Sequence, residues 1–137
     1  MNVTSPAETS TVLSFEVGGA DRAPLYHAAI AAVLGALYGN SAPPQAPEGA
    51  GVVPLQSAGR DEAGRLGGLL EELLREAPLA PGRLLPPSWL SFDERRVTAT
   101  FRVGPAGAPP RALSVASVEV RPEGSVGLCA TIVLSPA

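Results

Sequence analysis

The side chains here that could do covalent or metal chemistry are one histidine, one cysteine and thirteen carboxylates. His27 stands alone, so neither a histidine pair nor a histidine-rich metal site can form. Beside Tyr26 on a helical stretch, it reads as a surface or boundary residue. Cys129 lies between Leu128 and Ala130 in an alternating segment, with no histidine or cluster of positive charge near it in sequence. It reads as a buried, inert thiol rather than a nucleophile, and it has no second cysteine for an internal disulfide. Among the carboxylates, Asp21 and Asp61 are placed as helix N-caps. Glu71, Glu72 and Glu76 form a wet helix face, and Asp93-Glu94 precedes Arg95-Arg96 at a hairpin turn. None has metal-binding spacing, and neither Gly18-Gly19 nor Gly67-Gly68 matches a phosphate-cradling loop. On these residues the chain is expected to be no enzyme, with no cofactor and no bound metal.

The elements that would position such groups follow from periodicity and punctuation. Residues 1–10 are small and polar and read as a loose lead-in. Leu13, Phe15 and Val17 alternate with Ser14 and Glu16, as in a half-buried strand. A helix then runs from Asp21 to about Tyr38, with Pro24 tolerated in its first turn, and stops at Gly39-Asn40. Its buried face is expected to use Leu25, Ala28, Ala29, Ala32, Val33 and Leu37. Residues 39–51 are a loop, and Val52 to Gln56 is a short edge strand because Pro54 cannot donate to a ladder. Asp61 opens the clearest helix, where Leu66, Leu69, Leu70, Leu73 and Leu74 form one stripe. Gly67-Gly68 inside it implies close approach by a neighbour.

After a proline-rich loop, Ala77 to Ser88, the patterns are those of strands to the end. Trp89, Leu90 and Phe92 make a short one, and Val97, Ala99, Phe101 and Val103 the next. Leu113 to Val120 changes parity near Ser117, as a bulge would cause. Leu128, Ala130, Ile132 and Leu134 close the series. No internal repeat is read. The expected fold is one α+β domain over residues 1–137. It is a two-layer sandwich, with two main helices packed on one face of a mostly antiparallel sheet.

Composition narrows the partners. The ten basic residues are all arginines spread from Arg22 to Arg121, the net charge is −3, and no basic run exists. Strong direct nucleic-acid binding is not expected. The longest apolar stretch, Ala28 to Leu37, is about half the ~20 residues a membrane span needs. No basic n-region precedes an apolar run, so a cytoplasmic protein is expected. The Arg-for-Lys bias and abundant Ala, Gly and Pro look like a GC-rich, bacterial genome.

Three segments, in order and spacing, resemble the archease family. These are small proteins that assist an RNA-splicing ligase of the kind that joins tRNA halves. Gly18 to Ala29, through Leu25-Tyr26-His27-Ala28-Ala29, is similar to the family's strand-Gly and its helix with L-F-x-x-A-A. Asp61 with Leu66 and Leu69-Leu70-Glu71-Glu72-Leu73-Leu74 is similar to its leucine-rich second helix. Val97-Thr98-Ala99-Thr100, Arg111-Ala112-Leu113-Ser114-Val115 and Val118-Glu119-Val120 resemble its L-T-A-x, K-A-V-T-Y and L-E-V strings. Thr131 to Leu134 falls at its last strand. The resemblance spans Val12 to Leu134.

The resemblance implies an archease-like fold and an accessory role exercised through a protein partner, an RNA ligase or another RNA-processing enzyme. It also marks where this chain departs. Thr11 and Ser135 stand where the family has cation-binding aspartates, and Arg111 replaces a functional lysine with its charge kept. Hard divalent cations need anionic oxygens, so tight metal binding is expected to be lost unless Glu8 rebuilds the site. Arg111 is the candidate for contact with a partner's phosphate or carboxylate. The alternative is a structural or protein-interaction module that has lost metal binding and ligase activation. A third reading is an enzyme using Cys129 or Arg111.

Overall fold

The computed structural model describes residues 12–39, 51–107, 109–125 and 127–137. Alternation makes Leu13–Gly19 (β1) a strand that turns Leu13, Phe15 and Val17 toward the interior. Helix α1 spans Arg22–Tyr38 and ends at Gly39, whose φ of 95° suits a residue without a Cβ. Strand β2 is Val52–Ala58 and helix α2 is Glu62–Glu76, followed by a short 3-10 turn, Ala77–Leu79. Strands β3 (Leu84–Phe92), β4 (Arg96–Val103), β5 (Leu113–Glu123) and β6 (Gly127–Pro136) complete the order.

The α+β class is therefore as expected, but the strands divide into two antiparallel three-stranded sheets rather than one. Their orders are β1-β6-β5 and β2-β4-β3. Strands β3 and β4 form one hairpin and β5 and β6 the other, while β4 and β5, consecutive in the chain, belong to different sheets. Strand β3 also begins earlier than the proline-rich pattern implies. Pro86 and Pro87 are accommodated because β3 is an edge strand with register shifts between Leu84 and Trp89. The register shift in β5 falls between Val115 and Ser117, where the parity change puts it.

The two helix starts differ instructively. The Asp61 carboxylate accepts a 2.7 Å hydrogen bond from the Gly64 N–H, an N-cap worth about 1 kcal/mol. Asp21 holds the same position before α1 but makes no such bond. The residue corresponding to Gly64 there is Pro24, which has no N–H to give.

No repeat is legible in the side chains, yet the fold repeats. Strand–Gly–x–Asp–helix occurs twice at one constant offset, with Gly19 and Asp21 matching Gly59 and Asp61. A Cβ on Gly19 would lie 2.6 Å from the Leu25 nitrogen, and one on Gly59 3.0 Å from the Arg65 nitrogen. At both crossings the helix start therefore sits directly on the end of its strand. Each edge strand then pairs with the second strand of a hairpin, β1 with β6 and β2 with β4. Helix α1 packs on β1, β6 and β3, and α2 on β2, β4 and β5, the same relation with the halves exchanged. The unit β2-α2-β3-β4 is thus inserted within its counterpart, β1-α1 with β5-β6.

One core serves both halves. Leu25, Ile30, Leu66, Leu70, Phe101 and Ile132 have no exposed surface, each burial worth roughly 1.5–3 kcal/mol. Leu69, Leu73 and Val97 join them, with Phe15 partly buried against the cluster. In α1, Leu25, Ala29, Val33 and Leu37 are buried as expected, but Tyr26, Ile30 and Leu34 take the places assigned to Ala28 and Ala32. That helix is apolar nearly all round, so its own pattern does not select the inward face. In α2, Gly68 comes close to β2: a Cβ there would meet the Ser57 Oγ at 2.3 Å. Gly67 has room for a methyl group, with Val118 3.6 Å away. Among the described residues no helix is long and apolar enough to cross a membrane.

Candidate functional site

Arg111 lies just before β5, and its backbone N–H donates a 3.0 Å hydrogen bond to the Leu37 carbonyl at the end of α1. Its side chain is exposed and lines a cleft of about 520 Å³ together with Leu37, Tyr38, Arg83, Pro105 and Pro109. Arg83 is the second cation there, and its backbone is held from both directions. The Arg83 N–H donates to the Pro105 carbonyl at 3.3 Å, and the Gly104 N–H donates to the Arg83 carbonyl at 2.6 Å. This approach requires glycine at position 82, where a Cβ would lie 2.1 Å from the Gly104 carbonyl oxygen. The guanidinium of Arg83 covers the Tyr38 ring at 5.1 Å, a cation–π contact. Tyr38 is fixed in turn by the Leu84 N–H, which donates to its hydroxyl at 3.2 Å. Among the described residues no carboxylate lines the cleft.

Sequence reasoning reached Arg111 but missed Arg83 and Tyr38. Arg83 sits in a proline-rich stretch that reads as a loop, and Tyr38 reads only as the end of a helix. The pairing of these groups depends on how residues 104 and 105 cross Gly82, which no local pattern encodes.

Ser135 lies in β6 opposite Ser114, with the two hydroxyl oxygens 3.2 Å apart. It stands at the same end of its sheet as Arg111, since Leu113 pairs with Pro136, but it does not line the cleft. Strand β1 begins beside it, with Leu13 opposite Leu134. Thr11 and Glu8 lie outside the described residues. His27 is exposed on α1. Cys129 is buried. Desolvation pushes its thiol up against the opposing charge of Arg121, while Glu123 and Glu16 add to the rise. That direction keeps the thiolate scarce, as in an inert cysteine.

The other concentration of charge is the junction where the helix starts meet. Arg22 and Glu62 each follow the N-cap aspartate of their helix, and they face each other at 2.7 Å. The Tyr26 hydroxyl donates to the second Glu62 oxygen at 2.6 Å. Arg65, only 9% exposed, bonds that oxygen at 3.4 Å and the Gly59 carbonyl at 3.0 Å. Phe92 closes the group, edge-on to Tyr26 at 5.1 Å and beneath Arg22 at 4.5 Å. Partial burial works against the Glu62 charge, yet the bonds from Tyr26 and Arg65 and the charge of Arg22 hold its carboxyl below the usual range. Burial and the Glu62 carboxylate raise Tyr26 well above an ordinary phenol. Glu62 gives Arg22 and Arg65 a common counter-charge, although Arg22 Nη2 stays buried without a hydrogen-bond partner among the described residues, and the junction ties one half of the fold to the other.

No protein-family model matches the chain, and no curated protein matches it.

Proposed function

We propose that this chain is a non-catalytic, archease-like accessory protein. It assists an RNA-splicing ligase of the tRNA-joining kind, or a related RNA-processing enzyme, through protein–protein contact. The observation that supports the reading is the placement of Arg111. Its backbone is anchored to α1 while its side chain is exposed at a cleft with no carboxylate among the described lining residues. An always-charged, planar guanidinium held this way can meet a carboxylate or phosphate of a partner bidentately. The test is capture of partners from native lysate with wild-type and Arg111→Ala protein, read by mass spectrometry. An RNA ligase or RNA-processing enzyme is expected among the partners, with capture weakened by the substitution. Equal capture by both proteins removes Arg111 from the contact.

A second reading, a protein-interaction module that has lost metal binding and ligase activation, is favoured by Ser135. Where the resemblance puts a carboxylate there is a neutral hydroxyl beside Ser114. Partners that include no RNA-processing enzyme select this reading over the first.

A further inference from the structure

We propose that the cleft beside the C-terminal end of α1 is an anion site for a phosphate-bearing small molecule of nucleotide size, held between Arg83 and Arg111. The inference rests on the assignment of Arg111 to a contact site and adds the ligand class and the second arm. Two observations carry it. The cleft brings two arginines to one concave surface whose other walls include the apolar Leu37, Pro105, Ala106 and Pro109. A few convergent polar groups on apolar walls are the usual make-up of a small-molecule pocket, and about 520 Å³ lies within the usual range. Arg83 also carries a buried Nε with no hydrogen-bond partner among the described residues, a feature shared only with Arg22 at the junction, which has Glu62 as its counter-charge.

The competing explanation is that both arginines only neutralise the negative end of α1, which has no basic residue in its last turn. The hydrogen bonds weigh against it. The Gly35 carbonyl is already taken by the Gly39 N–H at 2.8 Å, and the Leu37 carbonyl by the Arg111 N–H. Backbone donors, not guanidiniums, complete these two carbonyls. Neither Arg83 nor Arg111 forms an ion pair with a described carboxylate, whereas Arg22, Arg65, Arg75 and Arg121 do. Arginine suits such a site because its planar fork matches phosphate geometry.

The test is calorimetric titration of the purified full chain with inorganic pyrophosphate and, separately, with adenosine monophosphate. Saturable binding at millimolar concentration or better is expected. Arg83→Ala and Arg111→Ala should each weaken it roughly tenfold or more, as for a lost charge-assisted hydrogen bond. Arg102→Ala, an exposed β4 residue outside the cleft, should change nothing. Tighter binding of the nucleotide than of pyrophosphate identifies a nucleotide as the ligand. Equal or weaker binding identifies the phosphate group alone. If Arg83→Ala does not fold, Arg83→Lys takes its place, keeping a charge over Tyr38 but losing the fork, and is expected to weaken binding as well.

Absence of saturable binding overturns the proposal. So does an equal loss with Arg102→Ala, or dependence on Arg111 alone. The titration needs no protein partner. Failed titrations with intact, Arg111-dependent capture therefore defeat this inference only, while intact titrations with capture indifferent to Arg111 defeat the partner reading only.

Discussion

The junction of the two helix starts and the cleft beside the end of α1 are built from the same materials to opposite ends. Each gathers arginines around a tyrosine, and in each an arginine lies over an aromatic ring. At the junction Glu62 takes a contact from Arg22, Arg65 and Tyr26, so the charge is spent inside the fold. At the cleft no described carboxylate answers Arg83 or Arg111. Matched charge of the first kind holds two elements together, while unmatched charge on a concave surface is free to act on something else. The physical signature of a candidate site in this molecule is thus missing counter-charge on a concave surface, since the exposed Arg102 also lacks an ion pair among the described residues but lines no cleft.

The largest effect that distinguishes the two regions is expected at Glu62. Glu62→Ala leaves Arg22, Arg65 and the Tyr26 hydroxyl without their common acceptor. Breaking a fully buried pair costs about 3–5 kcal/mol. With its side chain 19% exposed, Glu62 is expected to cost less, about 2–3 kcal/mol, measured by urea unfolding. A loss below about 0.5 kcal/mol, as for a surface change, would make the junction as loose as the cleft and end the contrast.

Next in size is Gly82→Ala, which forces a methyl group against the Gly104 carbonyl oxygen. It should cost about 1–3 kcal/mol, as overpacking does, and should weaken pyrophosphate binding by displacing Arg83. Unchanged stability would mean that residues 104 and 105 do not hold Arg83 in place.

The pH dependence of stability belongs to the junction and has two limbs. Glu62 is held below its ordinary value of 4.5. Its contribution is present above that pH and lost as pH falls through the lower folded value. Tyr26 is raised above 10.0. Its contribution is full below pH 10.0 and lost as pH rises through the higher folded value. Glu62→Gln is expected to flatten the acid limb of a melting-temperature profile, and Tyr26→Phe the alkaline limb. Profiles that keep both limbs would assign them to other groups.

The smallest expected effect on stability is at Arg111. Arg111→Ala should stay within about ±0.5 kcal/mol of wild type, because the bond to Leu37 comes from its backbone. A large loss of melting temperature would make Arg111 a structural residue like Arg65.

Much of the local architecture was legible because it is written in short-range chemistry. The Leu66 to Leu74 stripe and the Gly39 stop announced the helices, and the parity change at Ser117 announced the bulge. The inward face of α1 was not legible, since a helix of mostly alanine and larger apolar residues offers several faces of similar quality. Asp21 was misread as a capping side chain because the position that supplies the donor to Asp61, Gly64, is matched here by Pro24, which has no N–H. Arg111 was reached through the resemblance, whereas Arg83 and Tyr38 carried no signal, because their meeting depends on contacts with segments far along the chain.

The sequence by itself determined both helices and the strands apart from the proline-rich start of β3 at Leu84, and that the histidine and the cysteine stand alone. Those properties depend on residues within a few positions of one another. Only the tertiary structure decided that the strands make two sheets, that one half of the fold is inserted in the other, and that Arg83 and Arg111 share a cleft. Strand partners are chosen by packing between segments far apart in the chain. The repeat is carried by strand pairing and by two glycine crossings, at Gly19 and Gly59, while most other matched positions hold different side chains. The cleft exists because Gly82 lets the backbone at Gly104 close on Arg83, a contact between residues with no pattern to link them.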